Sequence, residues 1–113
     1  MRIVVRISDP WDLGEPIEWK PLEGTLLQII EDEQGGKALI VLDHGVAYRG
    51  AEWRYLVASV RHMGDKIAML QSGKKVFSSM IGISNEQAAS AQPLDTGHWR
   101  GGLALIGDIE PRP

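Results

Sequence analysis

The residues best suited to proton transfer or metal binding near neutral pH are three histidines, His44, His62 and His98, each with carboxylates nearby in the chain. No H-x-H or H-x-x-x-H spacing sets two of them on one face of a strand or helix, so the pattern predicts surface or turn histidines and no metal site. A serine or threonine nucleophile needs a base oriented by a carboxylate. Ser59, Ser78 and Ser79 fall instead in strand-forming stretches with no strained elbow around them. Phosphate loops fail on spacing: Gly36-Lys37 is followed by Ala38 and lacks the earlier glycine, and Gly73-Lys74 fails in the same way. Gly101-Gly102 leads into a strand-like run, so it offers an anion no helix N-terminus. Asp9 with Asp12, and Glu31-Asp32-Glu33, have the chemistry for paired acid and base roles. Both groups lie in turn-forming sequence and read as caps and solvated turns. The chain is therefore expected to be non-catalytic, with no metal and no cofactor.

Recognition chemistry is better represented. The chain holds four tryptophans, and Trp11, Trp19 and Trp99 fall in loop-forming sequence close to Asp12 or Arg100. Tryptophan offers a large contact area and one N–H donor with little entropy to lose, and it is enriched where proteins meet partners. Trp53, at the start of a strand, reads as a lid on the core. The pattern predicts a module that binds another protein, with Trp11, Trp19 and Tyr48 as anchors and Arg49 as an ion-pairing or bidentate group. Asp12 and Glu15 would add acidic complementarity, and His98, Trp99 and Arg100 form a secondary candidate patch. The alternative is single-stranded nucleic acid, stacked on Trp11, Tyr48 and Trp99 with Arg49, Arg54, Lys74 and Lys75 on phosphates. The acidic clusters at 9–18 and 31–33 oppose it. A small-ligand sensor using a barrel mouth is a third class, for which no constellation exists.

These residues need a scaffold, and the most informative stretch for that is 37–43. Leu39, Ile40, Val41 and Leu42 lie there between charged ends, which makes one strand with apolar side chains on both faces and a need for cover on both. The preceding stretch, 23–31, carries a similar run, and the linker at 32–36 is short, acidic and ends in glycine. The pair predicts a β-hairpin in a closed or doubly packed sheet. Residues 2–7 alternate as a half-buried strand, with Ile3, Val5 and Ile7 on one face. Asp9 then reads as the cap of a short helical turn, with Pro10 at its first position. The connection to Leu22 is long and irregular; loops of about 14 residues are uncommon in compact domains unless they work or pack as a unit.

Residues 43–45 are expected to end the central strand and 48–50 to form a second loop. Strands follow at 53–61, 67–70 and 76–83, separated by turn signals at 62–65 and 72–75. Phe77, Ile81 and Ile83 share one parity, and Gly82 marks a candidate bulge. Ser84-Asn85-Glu86-Gln87 matches a capping box opening at most two helical turns before Pro93. A last strand spans 103–109. The prediction is all-β: a single domain over 1–113, built as a six- or seven-stranded antiparallel barrel with one or two short helical turns. It matches SH3-like and OB barrels in size, architectures that host many functions and assign none. With seven strands running up and down, one end gathers the loops 8–22, 44–52 and 72–75, and the other gathers 32–36, 62–64 and 84–101.

A chain of 113 residues buries roughly 65% of its unfolded surface and needs no staple. Cysteine is absent, which removes disulfides and thiolate chemistry and fits a reducing compartment. Residues 1–10 lack the apolar core of a signal peptide, and no apolar run approaches the roughly 20 residues of a membrane span. The expected setting is soluble and cytoplasmic. The net charge of −3 divides into −5 over residues 1–43 and +2 over the rest, which is not the footprint of a duplex-DNA binder.

Overall fold

A computed structural model of the chain describes residues 1–10, 21–32, 35–48, 50–60, 69–70, 72–94 and 104–112. Six antiparallel strands close into a barrel in sequence order: β1 (Arg2–Pro10), β2 (Leu22–Asp32), β3 (Gly35–Tyr48), β4 (Ala51–Val60), β5 (Val76–Ile83) and β6 (Ala104–Pro111). β6 pairs back onto β1, from Ile3 opposite Pro111 to Pro10 opposite Leu105. One short helix, α1 (Asn85–Ala88), follows β5. The expected fold class is therefore met, with six strands.

The central strand behaves as its composition requires. Ile40 and Leu42 point into the barrel with no exposure, joined there by Ile3, Val5, Leu56, Met80, Leu105 and Ile109. Leu39 points the other way, yet it is only 4% exposed. It packs outside the barrel with Val57, Ile83 and Leu94, against Tyr55, Ile81 and Ala88. The cover for this outer face is the strap that follows β5. Ser84 caps α1 by accepting a hydrogen bond at its Oγ from the Gln87 N–H, at 3.1 Å, as the capping-box spacing demands. Gln87 Nε2 then donates to the Pro93 carbonyl, and Lys37 Nζ to that of Leu94, so the strap crosses β3 and is tied down at its far end.

Four sequence expectations are corrected. Asp9 and Pro10 belong to β1, not to a helical turn: their pairing with Ile106 and Leu105 continues past an irregularity after Ile7. β3 does not stop at 43–45 but runs to Tyr48. Gly82 makes no bulge and sits in register opposite Leu56. Most consequential, Met69 and Leu70, placed in a strand by the sequence, are helical. The Gly73 N–H bonds to the Leu70 carbonyl and the Lys74 N–H to that of Met69, with Gly73 left-handed at φ 84°. That is a Schellman ending, in which a glycine without Cβ closes a helix at no steric cost.

Removing one strand re-sorts every later connection. Lys74 and Lys75, at the start of β5, stand at the end of the barrel where β2 turns into β3, opposite the end where β3 turns into β4. They do not join the β3–β4 loop as a seven-strand meander required.

Candidate functional site

The β3–β4 turn defines one end of the barrel. β3 pairs with β2 only as far as Leu42 opposite Gly24, then continues to Tyr48 with β4 as its partner. β1 leaves β2 at Val5 opposite Leu22 and continues to Pro10 with β6. At this end two ribbons thus project past the foot of β2: β1 with β6, and β3 with β4. Measured on the partner strands, Asp108 to Leu105 of β6 and Arg54 to Ala51 of β4, each projection is four residues, roughly 13 Å. Tyr48 pairs with Ala51, and Gly50 turns the chain at φ 77°.

The β3–β4 ribbon is bent by a local mismatch. Val41 faces Tyr55 and Val46 faces Trp53, so four residues of β3 stand against Arg54 alone. Such an insertion frees main-chain groups and twists the ribbon. Arg54 Nε takes up one of them by donating to the Leu42 carbonyl at 3.1 Å. Asp43, turned outward by the insertion, receives both guanidinium nitrogens of Arg2, the Nη1 to Oδ1 distance being 2.8 Å, and Arg2 also donates to Thr25 Oγ1 at 3.0 Å. The hydrogen bond from Arg2 holds the Asp43 carboxyl below the ordinary carboxylate range, with the charges of Arg2, His44 and Arg54 adding to it. The same pairing raises the Arg2 guanidinium. Trp53 is half-buried against the barrel core, the lid role its position at a strand start suggested.

Among the described residues, two open hollows lie outside the core. One, of about 300 Å³, is lined by Ala51, Glu52 and Trp53 of β4 and by Ser84, Asn85 and Glu86, which puts an acidic rim at the turn end. The other, of about 320 Å³, lies between the strap and the outer face of the β2–β3 hairpin, lined by Gln28, Ile30, Lys37 and residues 91–94.

Of the candidate binding residues, Tyr48 is placed at the close of β3. Trp11, Asp12, Trp19, Arg49, and the secondary patch His98, Trp99 and Arg100, lie outside the described residues. The strand ends that carry 11–20 and 49 do share one end of the barrel. The serines have ordinary structural roles: Ser78 Oγ donates to the Ser79 carbonyl at 2.9 Å, and Ser78 and Ser79 both reach that of Ser59. Among the described residues no group of His, Cys, Asp or Glu has the size and closeness to hold a metal ion, and no helix is long and apolar enough to cross a membrane.

Sequence reasoning missed the exposed apolar side chains. Phe77 is 62% exposed, Leu27 54% and Ile30 47%. The parity of Phe77 with Ile81 and Ile83 was the available signal. It marks the outer face, since Val76, Ser78 and Met80 fill the interior. Compared with known proteins, the chain matches no family model, no curated protein and no solved structure.

Proposed function

We propose that this barrel is a non-catalytic interaction module that binds a partner protein at the β3–β4 turn end, through Trp11, Asp12, Trp19, Tyr48 and Arg49. The observation that carries this reading is the projection of the two ribbons past the foot of β2. It brings the strand ends bearing 11–20 and 49 to the same end of a rigid scaffold. Binding residues on loops held by such a scaffold are a recurrent arrangement. Aromatic anchors would supply contact area, Arg49 a directed ion pair, and Asp12 with the Glu52 and Glu86 rim acidic complementarity. The nucleic-acid alternative loses part of its phosphate set: Lys74 and Lys75 are at the opposite end from Tyr48, and Arg54 is committed to a main-chain carbonyl.

The test is a binding measurement on Trp11→Ala, Arg49→Ala and the double variant. A partner is first isolated from the native source with the wild-type protein, then purified and titrated by calorimetry. Each single change is expected to weaken binding by about 2 kcal/mol or more where the residue is an anchor. The double change should depart from additivity by about 0.5 kcal/mol or more, as neighbouring sites do. A partner that binds all three variants like the wild type removes the site. So does a Trp11→Ala protein whose thermal midpoint falls by several degrees while Arg49→Ala changes nothing.

A further inference from the structure

β5 and β6 are antiparallel neighbours that still pair at Ile81 opposite Ala104, close to where the chain leaves β5 at Ile83. Two residues can join strands so placed. The chain instead uses residues 84–103, a length uncommon in compact domains unless the connection works or packs as a unit. Its first half, 84–94, leaves from beside Tyr55, the β4 partner of Ile83, and arrives at Lys37, the β3 partner of Ser59. Along this path the strap is held at few points. Ser84 to Glu86 and Ala89 to Gln92 are exposed, Gln87 and Ala88 are half-buried, and burial begins only at Pro93 and Leu94. Among the described residues, its main-chain hydrogen bonds stay inside the strap, from the N–H groups of Ala88, Ala89 and Ser90 to the carbonyls of Ser84, Asn85 and Gln87. The bond from Gln87 to Pro93 is internal as well, whereas that from Lys37 to Leu94, at 3.4 Å, reaches the barrel.

We infer that the strap is a latch that swings off the barrel as a unit, Leu94 leaving its seat while α1 keeps its internal bonds, so that a minor open form shows an apolar face the closed form seals. Fixing each residue of 84–94 costs backbone entropy, and the return is the burial of Pro93, Leu94 and the face beneath them. Segments with so few buried contacts open far more readily than the fold around them. The barrel survives the opening because its two apolar clusters are separate. Leu39, Val57, Ile83 and Leu94 pack outside the wall, and Ile3, Val5, Ile40 and Leu56 fill the inside. The ladders on either side of β4 do not involve the strap, since β5 ends its pairing with β4 at Ile83. Withdrawal of Leu94 uncovers Leu39, Val57 and Ile83, which continue into the half-buried Tyr55 and Ile81. One surface thus has two states, and a single large side chain decides between them.

The lack of natural cysteine allows a direct test by thiol labelling of the whole folded chain. Val57→Cys and Val5→Cys put the same small apolar probe at two positions of no exposure, one under the strap and one inside the barrel. With an aromatic disulfide reagent, Val57→Cys should react at least about a hundredfold faster than Val5→Cys. Its rate should barely respond to low urea, because strap opening exposes little surface. It should also stay at least about tenfold slower than Phe77→Cys, an exposed position, since a latch is mostly closed. Adding Leu94→Ala should speed the Val57→Cys reaction about tenfold or more, as expected when the side chain that closes the latch is cut back. Leu39→Cys is a second probe beneath the same strap, used where Val57→Cys fails to fold. Equal rates and equal urea dependence at positions 57 and 5 would mean that the face opens only with the whole barrel and would overturn the inference. So would a Val57→Cys rate equal to that of Phe77→Cys, or one that Leu94→Ala leaves unchanged.

Discussion

Whether the central strand is truly buried on both faces is decided by Ile40→Ala and Leu39→Ala, adjacent residues that point in opposite directions. Each change removes about three buried carbons, a transfer loss of roughly 2.4 kcal/mol at about 0.8 kcal/mol per methylene. The cavity adds to this in proportion to how far the surroundings fail to close. Around Ile40 the walls are strands of a closed barrel, hydrogen-bonded on both sides, and they cannot move inward independently. The cost should fall near 3–5 kcal/mol, a large share of the 5–15 kcal/mol total of an ordinary domain. Leu39 is covered by the strap, held by the buried Leu94 and by side-chain bonds from Lys37 and Gln87. A strap can settle into the gap, so about 2–3 kcal/mol is expected. The assay is urea unfolding followed by tryptophan fluorescence and circular dichroism, with the m-value checked for constancy. Leu39→Ala combined with Leu94→Ala should cost less than the sum by about 0.5 kcal/mol or more, because the two share a contact. If Leu39→Ala stays within about 0.5 kcal/mol of the wild type, as an exposed position would, the outer cover and the role given to the strap are refuted.

Asp43 should contribute to acid stability. Its carboxyl is held below the ordinary value of 3.8 by Arg2; a carboxyl lowered in the folded state contributes stability that is complete above its unfolded value and lost as pH falls through the folded one. Asp43→Asn should therefore flatten the decline in unfolding midpoint below about pH 4. Since both partners are exposed, the effect should shrink in high salt; an unaltered acid limb would refute it. Gly73→Ala forces a side chain into the left-handed region at φ 84° and should cost about 1–2 kcal/mol. Gly24→Ala should cost more, because its Cβ would fall on the Val41 carbonyl oxygen with main-chain atoms around it. Equal denaturation midpoints for the wild type and both glycine variants would contradict the geometry. Binding to single- or double-stranded oligonucleotides should be no better than weak near physiological salt; a sub-micromolar complex in a fluorescence titration would favour the nucleic-acid alternative.

Local chemistry settled much of the fold in the sequence alone. The consecutive aliphatics of 39–42 imply a strand with two buried faces, and Ile40 and Leu39 lie on opposite sides of one sheet wall, each out of water. The capping box at Ser84 works because its donor and acceptor are only three residues apart, within reach of one turn. The Gly73 turn was legible for the same reason. What it terminated was not, because Met69 and Leu70 are apolar and a short apolar run fits a strand or a helix equally well. That single ambiguity sent the later loops to the wrong ends: the end at which a connection emerges depends on counting every strand before it. Long-range pairs such as Arg2 with Asp43, and the projection of β3 past the foot of β2, depend on strand lengths relative to their neighbours. No stretch of sequence encodes that by itself. The sequence determined which residues must be buried and where the chain must turn; only the closed barrel decided which turns meet and which apolar face the strap covers.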